Sequence, residues 1–348
     1  MKILALLVAA ALVFVGYLVL GNRGNAVLIK TPEIPALFTP APTPFLFQEI
    51  TIPFLREKNY ESSLGEMTLY EKKANYTSYL TNYTSDGFKV EGLLTVPSGD
   101  KPKEGYPAVV FVHGYIVPET YTTTGKYNEY VDYLARNGFV VFKIDLRGHG
   151  KSEGQASGAY YSGDYIVDTI SAYEALRKTD FVNPRGIGLW GHSMAGNVVF
   201  RSFVAKKDIP AIVIWAGAGY TYEDLRTYRI TDVSYRPPDT NTERAKKRKL
   251  LTDTYGNFDP QSEFWKLVPG TNYLEGVKGS IQIHHAADDS VVSIEYSRNL
   301  SRILDAYPIP HKVFEYPSGG HNLTGSAFTK AMEETVRFFK ENLLAKQR

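Results

Sequence analysis

The sequence predicts an α/β fold, a mostly parallel central sheet with helices on both faces. Three observations carry this expectation. Short apolar runs at 108–112, 139–142, 187–190, 211–215, 280–283 and 312–316 have the length and composition of buried strands. Stretches of helical period separate them: Ile166, Ile170 and Tyr173 share one stripe, and Phe328, Met332, Val336, Phe339 and Leu343 share another. Ahead of the first buried run, 77–83 and 88–96 alternate with period two around Ser85-Asp86-Gly87, the signature of a hairpin.

Taken in order, the chain opens with an apolar run at 3–20 behind Met1-Lys2. As a helix it would span about 27 Å, near the ~30 Å hydrocarbon thickness of a bilayer. It is longer than a secretory h-region and lacks a small-x-small cleavage site after it. Residues 1–22 therefore read as a transmembrane helix that anchors the protein to a membrane, with the folded domain outside the cytoplasm. A cleaved signal and a secreted protein are the alternative. Residues 23–66 hold Pro32, Pro35, Pro40, Pro42, Pro44 and Pro53 and read as a Pro-rich stalk. Residues 67–348 form the folded domain. Its β/α pattern lapses at about 220–277, which reads as a small lid insertion over the strand ends. The basic run 244–249 inside that insertion reads as one solvated helix face.

Composition narrows the chemistry. Lys and Arg total 39 against 37 Asp and Glu, a net charge of +2, so no global field favours nucleic acid as a partner. The absence of cysteine excludes disulfides, thiolate metal sites and a cysteine nucleophile. No G-x-G-x-x-G follows the first parallel strand and no P-loop occurs, so no nucleotide or other cofactor is expected. His284 and His285 are adjacent on a strand and point to opposite faces, which argues against a metal there.

One stretch points to a reaction. Gly191-His192-Ser193-Met194-Ala195-Gly196 follows a buried strand and opens a helix, which puts the Ser193 hydroxyl at the apex of a sharp turn. A hydroxyl is a weak nucleophile at neutral pH and needs a base oriented by an acid. His321, on a Gly-Gly loop after the last strand, is the base candidate; Asp288 and Asp289 compete for the acid. Right-handed crossovers bring all these strand ends to one edge of the sheet. Donors for an oxyanion would be the backbone N–H groups of Tyr115 and Met194.

These motifs resemble the α/β-hydrolase superfamily, and within it the catalytic domain of the prolyl oligopeptidase family of serine peptidases, over about residues 75–345. Val112-His113-Gly114-Tyr115 is similar to the oxyanion strand end, and Asp145-Leu146-Arg147-Gly148-His149-Gly150 to a D-x-R-G-x-G segment. His284 to Val291 is similar to H-G-x-x-D-D-x-V, whose first Asp is the triad acid, so the resemblance implies Asp288. Two departures stand out: Ala195 replaces the last glycine of G-x-S-x-G, and His285 replaces the glycine of the acid motif. The resemblance implies an α/β-hydrolase fold and an acyl-enzyme serine hydrolase acting on a short peptide or another small molecule. A serine-type peptidase is the first reading and a carboxylesterase or lipase-like acyl hydrolase the second. A non-catalytic, membrane-tethered binding protein is a remote third.

Overall fold

A computed structural model describes residues 44–235 and 242–344. The apolar run 3–20 lies outside the described residues, and among these no helix is long and apolar enough to cross a membrane.

Nine strands make one sheet in the order β1-β2-β3-β5-β4-β6-β7-β8-β9. Strands β1 (Thr68–Lys72), β2 (Tyr76–Ser85) and β3 (Phe88–Pro97) are antiparallel. The β2–β3 hairpin is the expected one. Ser85 pairs with Phe88, and Asp86 and Gly87 take positive φ (50° and 82°), as a two-residue turn of matching twist requires. Strand β3 joins β5 (Val140–Ile144) antiparallel. From there β4 (Tyr106–Val112), β6 (Val182–His192), β7 (Ala211–Trp215), β8 (Ser280–Ala286) and β9 (His311–Tyr316) continue in parallel. The edge strand β1 is exposed along its whole length, with no buried residue to mark it in the sequence.

Helices cover both faces, and strand β4 shows why its sequence is apolar throughout. Ala108, Val110 and Val112 pack into one layer, with α1 (Ile52–Glu57), α3 (Asp164–Arg177), α4 (Met194–Ala205) and α7 (Glu295–Leu304). Val109 and Phe111 pack into the other, with α2 (Asn128–Arg136) and α8 (Ser326–Leu343). A strand buried on both faces leaves no polar alternation to read. Of the stripe on α8, Met332, Val336, Phe339 and Leu343 are buried while Phe328 is half-buried.

The described part of the Pro-rich region does not behave as a stalk. Phe47, Ile50, Ile52 and Leu55 are buried. Arg56 donates to the carbonyls of Val204 and Tyr273, and the buried Arg201 donates to that of Ile50. Thr51 caps α1, with Pro53 in the first turn where its missing N–H costs nothing. Apolar residues between the prolines fasten this segment to the domain. The lid region holds α5 (Tyr222–Thr227) and α6 (Glu243–Tyr255). It shares a cluster with that segment: Phe47 and Ile50 meet Tyr222, Leu251, Phe264, Trp265 and Val268.

Candidate active site

Strand β6 ends at His192 and α4 begins at Met194, so Ser193 alone makes the reversal. Its φ of 56° and ψ of −121° form a combination that L-residues avoid. The Ser193 N–H donates to the Trp215 carbonyl of β7 (2.9 Å), and its own carbonyl accepts from Gly196 (2.8 Å). A Cβ on Gly191 would meet the Ala195 carbonyl oxygen at 2.6 Å, and one on Gly196 would meet the Gly217 Cα at 2.6 Å. The first departure from the motif is thereby accounted for: the Ala195 methyl is buried and accommodated, while the closest approach between α4 and the chain after β7 falls at Gly196.

His321 follows β9 on the Gly319-Gly320 loop, and both glycines take positive φ. Its Nδ1 lies 2.8 Å from Asp289 Oδ2. A nitrogen facing a carboxylate oxygen carries the proton, which leaves Nε2 with a free lone pair. The carboxylate that meets His321 is thus Asp289, where the resemblance implies Asp288. Both sit on the turn after β8, whose Asp289 N–H donates back to the Ala286 carbonyl (3.3 Å). That turn leaves Asp288 exposed and returns Asp289 inward, its side chain 1% exposed. Asp288 instead accepts the backbone N–H groups of Gly320 (2.8 Å) and Gly319 (3.3 Å) and so anchors the His321 loop.

Asp289 is held on four sides. Its Oδ1 accepts from the N–H groups of Val291 (2.8 Å) and Val292 (3.0 Å), and its Oδ2 meets His321 and, at 3.1 Å, His285 Nε2. Burial alone would raise this carboxyl, but the hydrogen bonds from His285 and His321 outweigh it and hold the group well below the usual carboxylate range. His285 Nε2 also faces the Val292 carbonyl (3.0 Å), so it carries a proton, and its Nδ1 accepts from Ser297 Oγ (2.7 Å). The second departure from the motif therefore adds a buried donor on Asp289. His284 points to the opposite face, toward Gln282 and Tyr316.

His192, at the variable position of G-x-S-x-G, is also part of the site. Its Nε2 donates to the His321 carbonyl (2.8 Å) and its Nδ1 accepts from Tyr127 Oη (2.8 Å), which in turn accepts the Gly114 N–H (3.0 Å). One buried ring thus ties the Ser193 elbow, the His321 loop and the Gly114-Tyr115 strand end together. Burial, with His321 beside it, pushes His192 down to about 3, so it stays neutral in this role. The rings of His192 and His321 lie 4.6 Å apart. Among the described residues no hydrogen bond joins Ser193 Oγ to His321. Such contacts are often long until substrate occupies the site.

A cavity of about 890 Å³ opens beside Ser193, with Met194 and Tyr115 also on its wall. The first N–H groups of a helix have no intrahelical partner, so Met194 at the start of α4 supplies a donor at the elbow. Helix α6 contributes Arg244, Lys247 and Arg248 to the lining, spaced to share one helix face. The basic run is therefore more than a solvated face. Lys246, Lys247, Arg248 and Lys249 are exposed, as that reading expects, with Lys246 paired to Glu243 (2.7 Å) and Lys249 to Asp253 (2.5 Å), while Arg244 is half-buried.

Two family models match the chain: one described as BAAT / acyl-CoA thioester hydrolase C terminal over residues 170–344, and one as serine aminopeptidase, S33, over 104–232. The uncharacterized peptidase YuxL of Bacillus subtilis is 22% identical over 79% of this chain and 40% of its own length. The uncharacterized protein YfhR of Escherichia coli is 31% identical over 68% of this chain and 70% of its own. The chain thus spans less than two thirds of the first of these relatives. Among solved structures, an acetyl xylan esterase from Paenibacillus sp. R4 superposes with a TM-score of 0.59 at 16% identity, over 84% of this chain and 92% of that one.

Proposed function

The chain belongs to the α/β-hydrolase superfamily, its second half to the BAAT / acyl-CoA thioester hydrolase C-terminal family, and we propose that it is a serine hydrolase acting through an acyl-enzyme at Ser193. In this reading His321 Nε2 takes the Ser193 Oγ proton as Oγ attacks the substrate carbonyl carbon. The N–H groups of Tyr115 and Met194 receive the oxyanion of the tetrahedral intermediate. Asp289 stabilises the imidazolium, which then hands its proton to the departing amine or alcohol. Water, activated by the same imidazole, attacks the acyl carbon and regenerates the hydroxyl. The single observation that carries the reading is the 2.8 Å Asp289–His321 bond, with His192 tying that loop to the strained Ser193 elbow.

The serine-aminopeptidase match supports amide cleavage of a short peptide; the thioester-hydrolase match and the esterase likeness support an acyl ester. A fluorophosphonate probe should label the protein, and Ser193→Ala should abolish labelling. Aminoacyl-nitroanilides assayed against a chain-length series of nitrophenyl esters separate the two substrate readings. A folded protein that takes neither probe nor any of these substrates would end the proposal.

A further inference from the structure

Some of the cations that line the cavity are paired with a carboxylate and, among the described residues, two that share the lining with Ser193 are not. Arg147 on the wall is committed: its guanidinium meets Asp168 at 2.7 to 3.1 Å and lies 3.4 Å from both Asp86 and Asp164. That also uses Asp164. Glu243 pairs with Lys246 (2.7 Å), and Asp232 keeps its charge on the wall, turned toward the backbone and hydroxyl of Ser234 (2.8 and 2.5 Å). Lys247 pairs with Glu49 (3.0 Å). Two guanidiniums are left, Arg244 and Arg248, and among the described residues neither has a carboxylate within 4.0 Å.

Both are braced rather than loose. Arg248 lies over the Tyr161 ring, 3.9 Å from its centroid, and donates to the Tyr161 hydroxyl (2.9 Å). Arg244 lies against Gly158, where a Cβ would come within 3.0 Å of Nη2. Tyr115, Tyr160 and Tyr165 line the same cavity as the arginines and Ser193. A planar guanidinium binds carboxylate or phosphate through parallel hydrogen bonds, and aromatic walls accept the uncharged body of a ligand.

We propose that this cavity selects substrates that carry an oxyanion, a carboxylate or a phosphate, set apart from the scissile carbonyl and clasped by Arg244 and Arg248. The inference rests on the serine-hydrolase reading and names the substrate class of the same site. The full chain is assayed with mono-nitrophenyl esters of dicarboxylic acids and with neutral nitrophenyl esters of equal length. A matching pair of series carries the carboxylate, or a phosphate, on the alcohol side. The acidic member should be preferred by roughly tenfold or more in kcat/KM at one chain length. Added salt should erode that preference. In Arg244→Gln/Arg248→Gln the ratio of acidic to neutral kcat/KM should fall toward one, and Arg244→Lys, with the charge but not the fork, should fall between. Far-UV circular dichroism checks that each variant is folded. Equal or better turnover of neutral esters at every length in both series, or a preference untouched in the double variant, overturns the proposal. Neutral fluorophosphonate labelling of the unaltered protein reports on Ser193 separately. Labelling without charge preference sinks this inference alone, whereas no labelling sinks the hydrolase reading beneath it.

Discussion

Asp288 and Asp289 are chemically identical neighbours with different tasks. One accepts backbone N–H groups of the loop that carries His321, and the other accepts the His321 ring itself. Asp289→Asn should lower kcat/KM by about 10³ to 10⁴, because the amide cannot hold the imidazole in the tautomer that leaves Nε2 free. Asp288→Asn keeps one acceptor oxygen for Gly320 and should cost about tenfold or less. Steady-state kinetics on the two variants check the assignment, and the reverse ranking would return the acid role to Asp288. The types of residue at this site were legible from the chain: a serine at a strand-to-helix turn, a histidine on a glycine loop, two candidate acids. Which acid faces inward was not, since it depends on where the turn after β8 ends. Nor was the use of His285 and His192, because a buried histidine advertises nothing until its partners are placed.

At the scale of elements, the elbow works because β6, α4 and the chain after β7 approach more closely than side chains ordinarily allow. Gly196→Ala would drive a methyl toward the Gly217 Cα, with Ile214 and Tyr220 each 3.0 Å away, so backbone has to move. The expected cost is about 1–3 kcal/mol in urea unfolding. The labelling rate at Ser193 should fall by tenfold or more, since the displaced element starts beside Ser193. Ala195→Gly should cost about 1 kcal/mol or less through helix propensity and leave labelling near that of the unaltered protein. Equal behaviour of the two variants would show that the close approach is not what fixes the turn. The parallel strands and the hairpin were legible because their periods differ, continuous in one and two in the other. Edge strand β1 was not, since it buries no residue. The packing of residues 44–57 was masked by proline content, which speaks about backbone shape and not about where Ile50 and Leu55 find cover.

Three histidines tie the whole molecule to pH. His113, His192 and His284 are each pushed down to about 3, by burial above all. The unfolded chain binds protons at these rings near pH 6.5 and the folded chain does not. Their contribution is therefore fully present above that pH and is lost as pH falls toward 3, by about 2 kcal/mol per ring between pH 6.5 and 5. Asp145 opposes them. Burial raises it to about 6 despite hydrogen bonds from Thr123 and Tyr121, and it recovers roughly 1 kcal/mol over the same interval. His149, also lowered by burial, acts with the rings, and Asp168 and Asp224, also raised by burial, act with Asp145. The three rings carry the larger change, so the urea midpoint should drop from pH 7 to pH 5. An unchanged or rising midpoint would mean that these rings accept protons while folded.

The segment ahead of the sheet sets where the folding unit begins. A gene trimmed to start at residue 67, where strand-like alternation first becomes readable, would encode every proposed catalytic group yet remove Ile50, whose carbonyl serves the buried Arg201 guanidinium. It would also strip Phe47 from the cluster with Trp265 and Leu251 and take Glu49 from Lys247, uncovering a segment whose residues line the cavity. A piece meant to fold by itself should therefore start near Phe45, some twenty residues earlier than hydrophobic periodicity alone would suggest.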